Sequence, residues 1–241
     1  MVTVGGIKEG AEVNGKTIQQ ILYNMMFPYQ KPTISASATP NGGTYMKGNT
    51  QTITKVTATV TKKTEDIEKV ELYNGNTLVD TKSGEDVKNG GSFEFTVSRE
   101  VSSNGGTYSV KVTDIIGESN TATTGSFTFI NPFYYGVCAA NATIDETLVK
   151  GLTEDLVAKP TSGTKTKSYV YTTNAQRMVV AYPKSYGKLT SIKDGSGLNN
   201  ANAFGEPSVV NITNKYGVAE DYYVYANGAT AVTNFTMNFG F

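Results

Sequence analysis

The chain has 241 residues, no histidine, no tryptophan, one cysteine, and 21 basic against 21 acidic side chains. Without histidine, one chain cannot assemble a Ser-His-Asp triad, a Cys-His pair or a zinc site of the usual kinds, and one cysteine excludes an intrachain disulfide. Zero net charge with only two arginines, Arg99 and Arg177, lacks the basic footprint of a nucleic-acid binder, while 25 glycines, 15 tyrosines and many threonines and asparagines suit β-strands joined by polar turns.

The opening "MVTVGGIKEGAEVNGK" has neither a basic n-region nor an apolar h-region, so no signal peptide is predicted. No apolar run approaches the ~18 residues that span a bilayer. The chain is expected to be made in a cytoplasm, although its low charge and Thr/Asn-rich surface are those of exposed β proteins.

"TIQQILYNMMF", residues 17–27, predicts a short helix. Ile18, Ile21, Leu22, Met25 and Met26 fall at i, i+3, i+4, i+7 and i+8 and form one apolar stripe. Asn14-Gly15 marks a turn before it and Pro28 ends it. Eleven residues are too few for an isolated helix, so the stripe must pack on its own chain, a sister copy or an anchoring protein. "FPYQKP" then reads as a stiff connector and places a boundary near residue 31.

Residues 32–131 read as about seven short alternating strands. Val56, Ala58 and Val60 alternate with threonine. Val70 and Leu72 precede a hairpin signal at Asn74-Gly75-Asn76, and Phe93, Phe95 and Val97, then Val110 and Val112, continue the period of two. "NGGTYSVKVTD" resembles the strand-F signature of Ig-like domains. The resemblance makes Tyr108 a tyrosine-corner residue whose hydroxyl bonds backbone at the E–F corner, and puts Val110 where antibody domains carry a cysteine. The expectation is a disulfide-free Ig-like β-sandwich.

"NPFYYGVCAAN" opens a second region, residues 132–241: a Tyr-rich β domain with one helix. The helix is expected in "NATIDETLVKGLTEDLVAKP", with Thr143 and Glu146 as a capping box, Leu148, Leu152 and Leu156 as its apolar stripe, and Pro160 as its end. Five further strands follow, the first two at 167–174 and 177–183 and the last carrying Phe235, Met237, Phe239 and Phe241 on one face.

Little in the chain suggests catalysis. There is no Gly-x-x-x-x-Gly-Lys-[Ser/Thr] phosphate loop. The paired acids Glu65-Asp66, Asp145-Glu146, Glu154-Asp155 and Glu220-Asp221 read as surface or capping residues. Cys138 reads as a small buried apolar side chain. The polar loop from Lys193 to Glu206, with Asp194, Ser196, Asn199, Asn200 and Asn202, departs from the EF-hand spacing and leaves an ion site open. No catalytic residue, metal ligand or cofactor is predicted. The tyrosines offer amphipathic faces for packing, for a subunit interface or for carbohydrate; in "DYYVY", Tyr223 and Tyr225 share one face and Tyr222 and Val224 the other.

The order of parts, a short helical segment ending in "FPY", an Ig-like domain, then a Tyr-rich β domain opening with "FYYG", resembles accessory structural proteins of tailed bacteriophages. The resemblance implies a virion component, fibre-like or decorating the head or tail, homo-oligomeric and partnered by other virion proteins. Its assembly contacts are expected at Ile18, Ile21, Leu22, Met25 and Met26. The alternative expectation is a glycan-binding adhesin module, meeting host-surface or mucus carbohydrate or a sister copy through Tyr134, Tyr222, Tyr223 and Tyr225.

Overall fold

In a computed structural model, residues 3–4, 7–8, 17–159 and 165–241 are described, and the fold is mainly β with one short N-terminal helix. The turn expected at Asn14-Gly15 and the helix end expected at Pro160 lie outside the described residues. The chain divides into two compact units. One holds the described residues up to Gly42 together with Thr52–Glu100 and Gly106–Ser126; the other holds Gly43–Gln51, Val101–Gly105 and Phe127–Phe241. This division differs from the expected boundaries near residues 31 and 131: the described residues up to Gly42 group with the first unit, and Gly43–Gln51 and Val101–Gly105 group with Phe127–Phe241 in the second.

The first unit opens with β1 (Thr3–Val4) paired to β2 (Ile7–Lys8), then helix α1 (Ile18–Met26). Its strands β3 (Thr33–Thr39), β5 (Gln51–Thr61) and β8 (Gly90–Val101) form one sheet in the order β3-β5-β8, counting as β4 the intervening strand Gly43–Met46. Strands β6 (Ile67–Asn74), β7 (Thr77–Ser83), β9 (Ser109–Asp114) and β10 (Ser119–Thr123) form the second sheet in the order β10-β9-β6-β7. First, second and fifth strands lie in one sheet, with third, fourth, sixth and seventh in the other, which gives a two-sheet β-sandwich. The alternation read from sequence sets the inner faces: Val56, Ala58, Val60, Phe93 and Phe95 are buried from one sheet, and Val70 pairs with Val112 and Leu72 with Val110 in the other. Full burial of each such Val, Leu or Phe contributes about 1.5–3 kcal/mol. The hairpin signal is realised with Asn74 opposite Thr77 and Gly75 at φ +59°.

The tyrosine corner differs from expectation. Tyr108 is buried, but its hydroxyl makes no hydrogen bond among the described residues. The corner is closed instead by Arg99, whose Nη1 donates to Thr107 O at 3.0 Å while its guanidinium lies 5.3 Å from the Tyr108 ring centre. An arginine that both stacks and donates takes over the hydroxyl's closing role.

The second unit contains β4 paired in parallel with β11 (Phe127–Ile130), and a seven-stranded sheet. That sheet runs β13-β12-β14-β17-β16, from β12 (Phe133–Ala139), β13 (Thr153–Asp155), β14 (Thr166–Pro183), β16 (Ser208–Thr213) and β17 (Ala219–Ala226). Strand β18 (Thr230–Gly240) pairs with β14 and with β15 (Ser191–Asp194). The two strands expected at 167–174 and 177–183 are one strand. Register shifts around Thr173 and a positive φ of 54° at Ala175 bend it, so its first half pairs with β18 and its second with β12 and β17.

The expected helix over residues 141–160 is also shorter. Helix α2 spans only Glu146–Lys150, capped by Asp145, whose carboxylate accepts from Leu148 N at 2.8 Å, and Thr153–Asp155 continue as a strand. Glu146 does not close a box with Thr143. It accepts from Thr213 N at 2.9 Å, which holds its carboxyl below the usual range. Edge pairing to Tyr134 and Tyr135 wins over the helical period after Gly151. A further helix, α3 (Ala201–Phe204), lies in the loop before β16.

Candidate functional site

The most distinctive surface feature is α1. Thr17 and Gln20 cap it reciprocally: Gln20 N donates to Thr17 Oγ1 at 3.2 Å and Thr17 N to Gln20 Oε1 at 2.9 Å. Tyr23 and Phe27, one turn apart, bring their rings to 4.9 Å, and Phe27 N closes on Tyr23 O at 2.8 Å. The helix carries no charged side chain. The expected stripe exists, and most of it faces solvent: Ile18 is 77%, Leu22 53% and Met26 70% exposed, Met25 is exposed, and Ile21 is half-buried. An uncharged helix that exposes this many large apolar groups has left its burial unfinished.

The connector after α1 is fastened to the sandwich. Tyr29 donates its hydroxyl to Asp114, Lys31 pairs with Glu118 at 2.5 Å, and Gln30 N donates to Thr64 Oγ1 at 2.8 Å. Burial, and then the Asp114 carboxylate, push the Tyr29 hydroxyl well above the ordinary tyrosine range. Asp114 itself accepts from Glu118 N at 2.9 Å in the β9–β10 turn. That turn exposes Ile115 and Ile116, each at 58%, beside the anchoring point. Sequence reading passed over this pair; the signal was "DIIGE", two large apolar residues in a turn that needs none.

The tyrosines named for an interface lie elsewhere. Both faces of the seven-stranded sheet are covered. Tyr134, Cys138, Val179, Ala181, Tyr222 and Val224 pack on one face with α2, while Phe133, Val180, Tyr182, Tyr225, Met237 and Phe239 pack on the other. The alternation in "DYYVY" is as read, but with both faces used as core, Tyr134, Tyr222 and Tyr225 are buried and offer no outer face to a glycan or a sister copy. Tyr223 is half-buried against the second cluster. Burial pushes the Tyr134 hydroxyl up to about 12 and raises that of Tyr222 further; Tyr222 donates to Pro132 O at 3.0 Å, a bond that needs the neutral phenol.

The polar loop spends its best oxygen ligand on itself. Asp194 Oδ1 accepts from Ser196 Oγ at 2.7 Å, Leu198 N at 2.9 Å and Ser196 N at 3.0 Å, and the serine hydroxyl leads in holding its carboxyl below the usual range. Among the described residues no three of His, Cys, Asp and Glu gather as a metal site would require. The paired acids point into separate local networks: Asp145 caps α2, Asp155 pairs with Lys167 at 2.7 Å, and Glu220 accepts from Asn131 at 2.5 Å and Ser185 at 2.7 Å. Cys138 is buried, and desolvation raises its thiol. No helix among the described residues is long and apolar enough to cross a membrane. No protein-family model matches the chain, and no curated protein matches it.

Proposed function

We propose that this chain is a structural component of a bacteriophage virion, a projecting or decorating protein that docks through α1 on other virion proteins and assembles as a homo-oligomer. The observation that carries the reading is the uncharged, solvent-facing apolar stripe of α1, held out from a β-sandwich by a connector tied down at Tyr29, Gln30 and Lys31. The stripe is too short to stand alone and gains its burial from a partner. Ile115 and Ile116, exposed in the β9–β10 turn next to the Tyr29 partner Asp114, add further uncovered apolar surface to the same unit.

The test is incorporation into particles. Changing Ile21 and Leu22 together to Asp abolishes attachment while far-ultraviolet circular dichroism and the melting temperature of the β units stay as in the parent. Wild-type levels of the double variant on purified virions overturn the docking reading. Absence of the unaltered chain from purified virions, judged by immunogold electron microscopy, overturns the virion reading as well.

A further inference from the structure

A second feature lies wholly within the second unit and is independent of α1. Tyr216 sits at the tip of the β16–β17 turn and is 43% exposed. Its backbone is held by the buried Asn214, whose Oδ1 accepts from Tyr216 N at 2.9 Å and Val218 N at 3.1 Å, and whose Nδ2 donates to Lys47 O and Asn131 Oδ1, both at 2.8 Å. Gly48, at φ +91°, lets the neighbouring segment close on this turn: a Cβ there would stand 2.8 Å from both Tyr216 Cβ and Val218 Cγ2. An exposed aromatic on so firmly held a turn is preorganised for contact.

Beside Tyr216 opens a pocket of about 260 Å³, walled by β4, Asn49, the end of β13 and the turn itself. A second aromatic wall is Tyr45, whose ring lies 5.8 Å from both Phe127 and Phe129. Leu156 adds an exposed apolar edge. The rim is polar and internally neutralised. Lys215 lies 3.6 Å from Glu154, and Asp155 is taken by Lys167 at 2.7 Å and the Tyr169 hydroxyl at 3.1 Å. Asn49 spends its side-chain oxygen on Thr50 N at 2.8 Å, which leaves its amide nitrogen as a donor.

These features select a ligand class. A charged ligand would have to break the Lys215–Glu154 pair, and Lys215 Nζ, 5.8 Å from the Tyr216 ring centre, already takes the position a bound cation would want. A neutral polyhydroxylated ring fits both halves: its C–H face lies on tyrosine, while its hydroxyls donate to Glu154 and accept from Lys215 and Asn49. The volume is below the ~300–1,000 Å³ of sites for drug-sized ligands, so it suits one ring at a time. We propose that this pocket binds a single neutral sugar unit of a glycan.

The experiment is a glycan array of neutral, sialylated and sulfated oligosaccharides probed with the full chain, followed by ligand-observed NMR with the neutral sugars that score. The expected result is retention on neutral glycans. Tyr216→Ala loses that signal, Tyr216→Phe keeps it, and Glu154→Gln weakens it about tenfold, each without a change in melting temperature. Should Tyr216→Ala prove unstable, Glu154→Gln, on an exposed side chain, decides. No retention on neutral glycans, retention only on acidic ones, or retention undiminished in Tyr216→Ala and Glu154→Gln overturns the proposal.

Discussion

At the scale of single residues, Asn214 shows how a turn signal becomes tertiary structure. "TNKYG" reads as an ordinary turn, and its asparagine does bond its own loop. What the sequence hides is the other half of the carboxamide, committed to Lys47, 167 residues away in sequence, and to Asn131. Removing it leaves buried partners unpaired. Asn214→Ala should therefore destabilise the second unit by about 2–3 kcal/mol, read as a lowered denaturant midpoint with an unchanged slope. The same blindness to distant partners explains the tyrosines. Alternation assigns Tyr222 and Tyr225 to opposite faces correctly, but whether a face meets water depends on what covers it, and here α2 covers one and β18 with its neighbours the other.

At the scale of elements, periodicity located α1 closely, because its apolar spacing is a local property; the Thr17–Gln20 cap came from the structure. Thr17→Ala removes one of two reciprocal bonds and should cost the helix about 1 kcal/mol, visible as faster hydrogen exchange at Ile21 N, which bonds Thr17 O. Period failed where tertiary pairing outweighed it. The Leu148, Leu152, Leu156 spacing suggests three helical turns, yet only Glu146–Lys150 is helical, because residues 153–155 gain more by pairing with β12. The final strand behaved as its alternation implied. Met237 and Phe239 are buried in a strand paired on both sides, so Phe239→Ala should cost about 3–5 kcal/mol by thermal unfolding.

At the scale of the whole molecule, the tyrosine content gives the chain a pH limit on the alkaline side. Burial raises the hydroxyls of Tyr134, to about 12, and of Tyr169, Tyr171, Tyr182 and Tyr222 beyond that. An unfolded tyrosine titrates near 10. The unfolded chain therefore loses these protons first, so their contribution is complete below about pH 10 and is lost as pH rises through the folded values. Stability should be flat on this account from neutral pH to about 10 and fall steeply above it. Phenolate absorbance at 295 nm should rise for the exposed tyrosines first and for the buried ones only with cooperative unfolding. Early, non-cooperative titration of all 15 tyrosines would contradict the buried placement.

Composition and spacing by themselves determined the mainly β class, the inner faces of the sandwich, the N-terminal helix with its apolar stripe, and the exclusion of histidine chemistry. These follow from residue type and from periods of two and 3.6, which act over a few neighbours. Only the tertiary structure decided that the connector is stitched to the sandwich, that one bent strand replaces two, that both faces of the Tyr-rich sheet are core, and that Tyr45, Asn49, Glu154 and Tyr216 meet around one pocket. Each of those outcomes rests on pairing between segments far apart in sequence, and that pairing is set by competition for burial and hydrogen-bond partners across the folded unit, which no local pattern encodes.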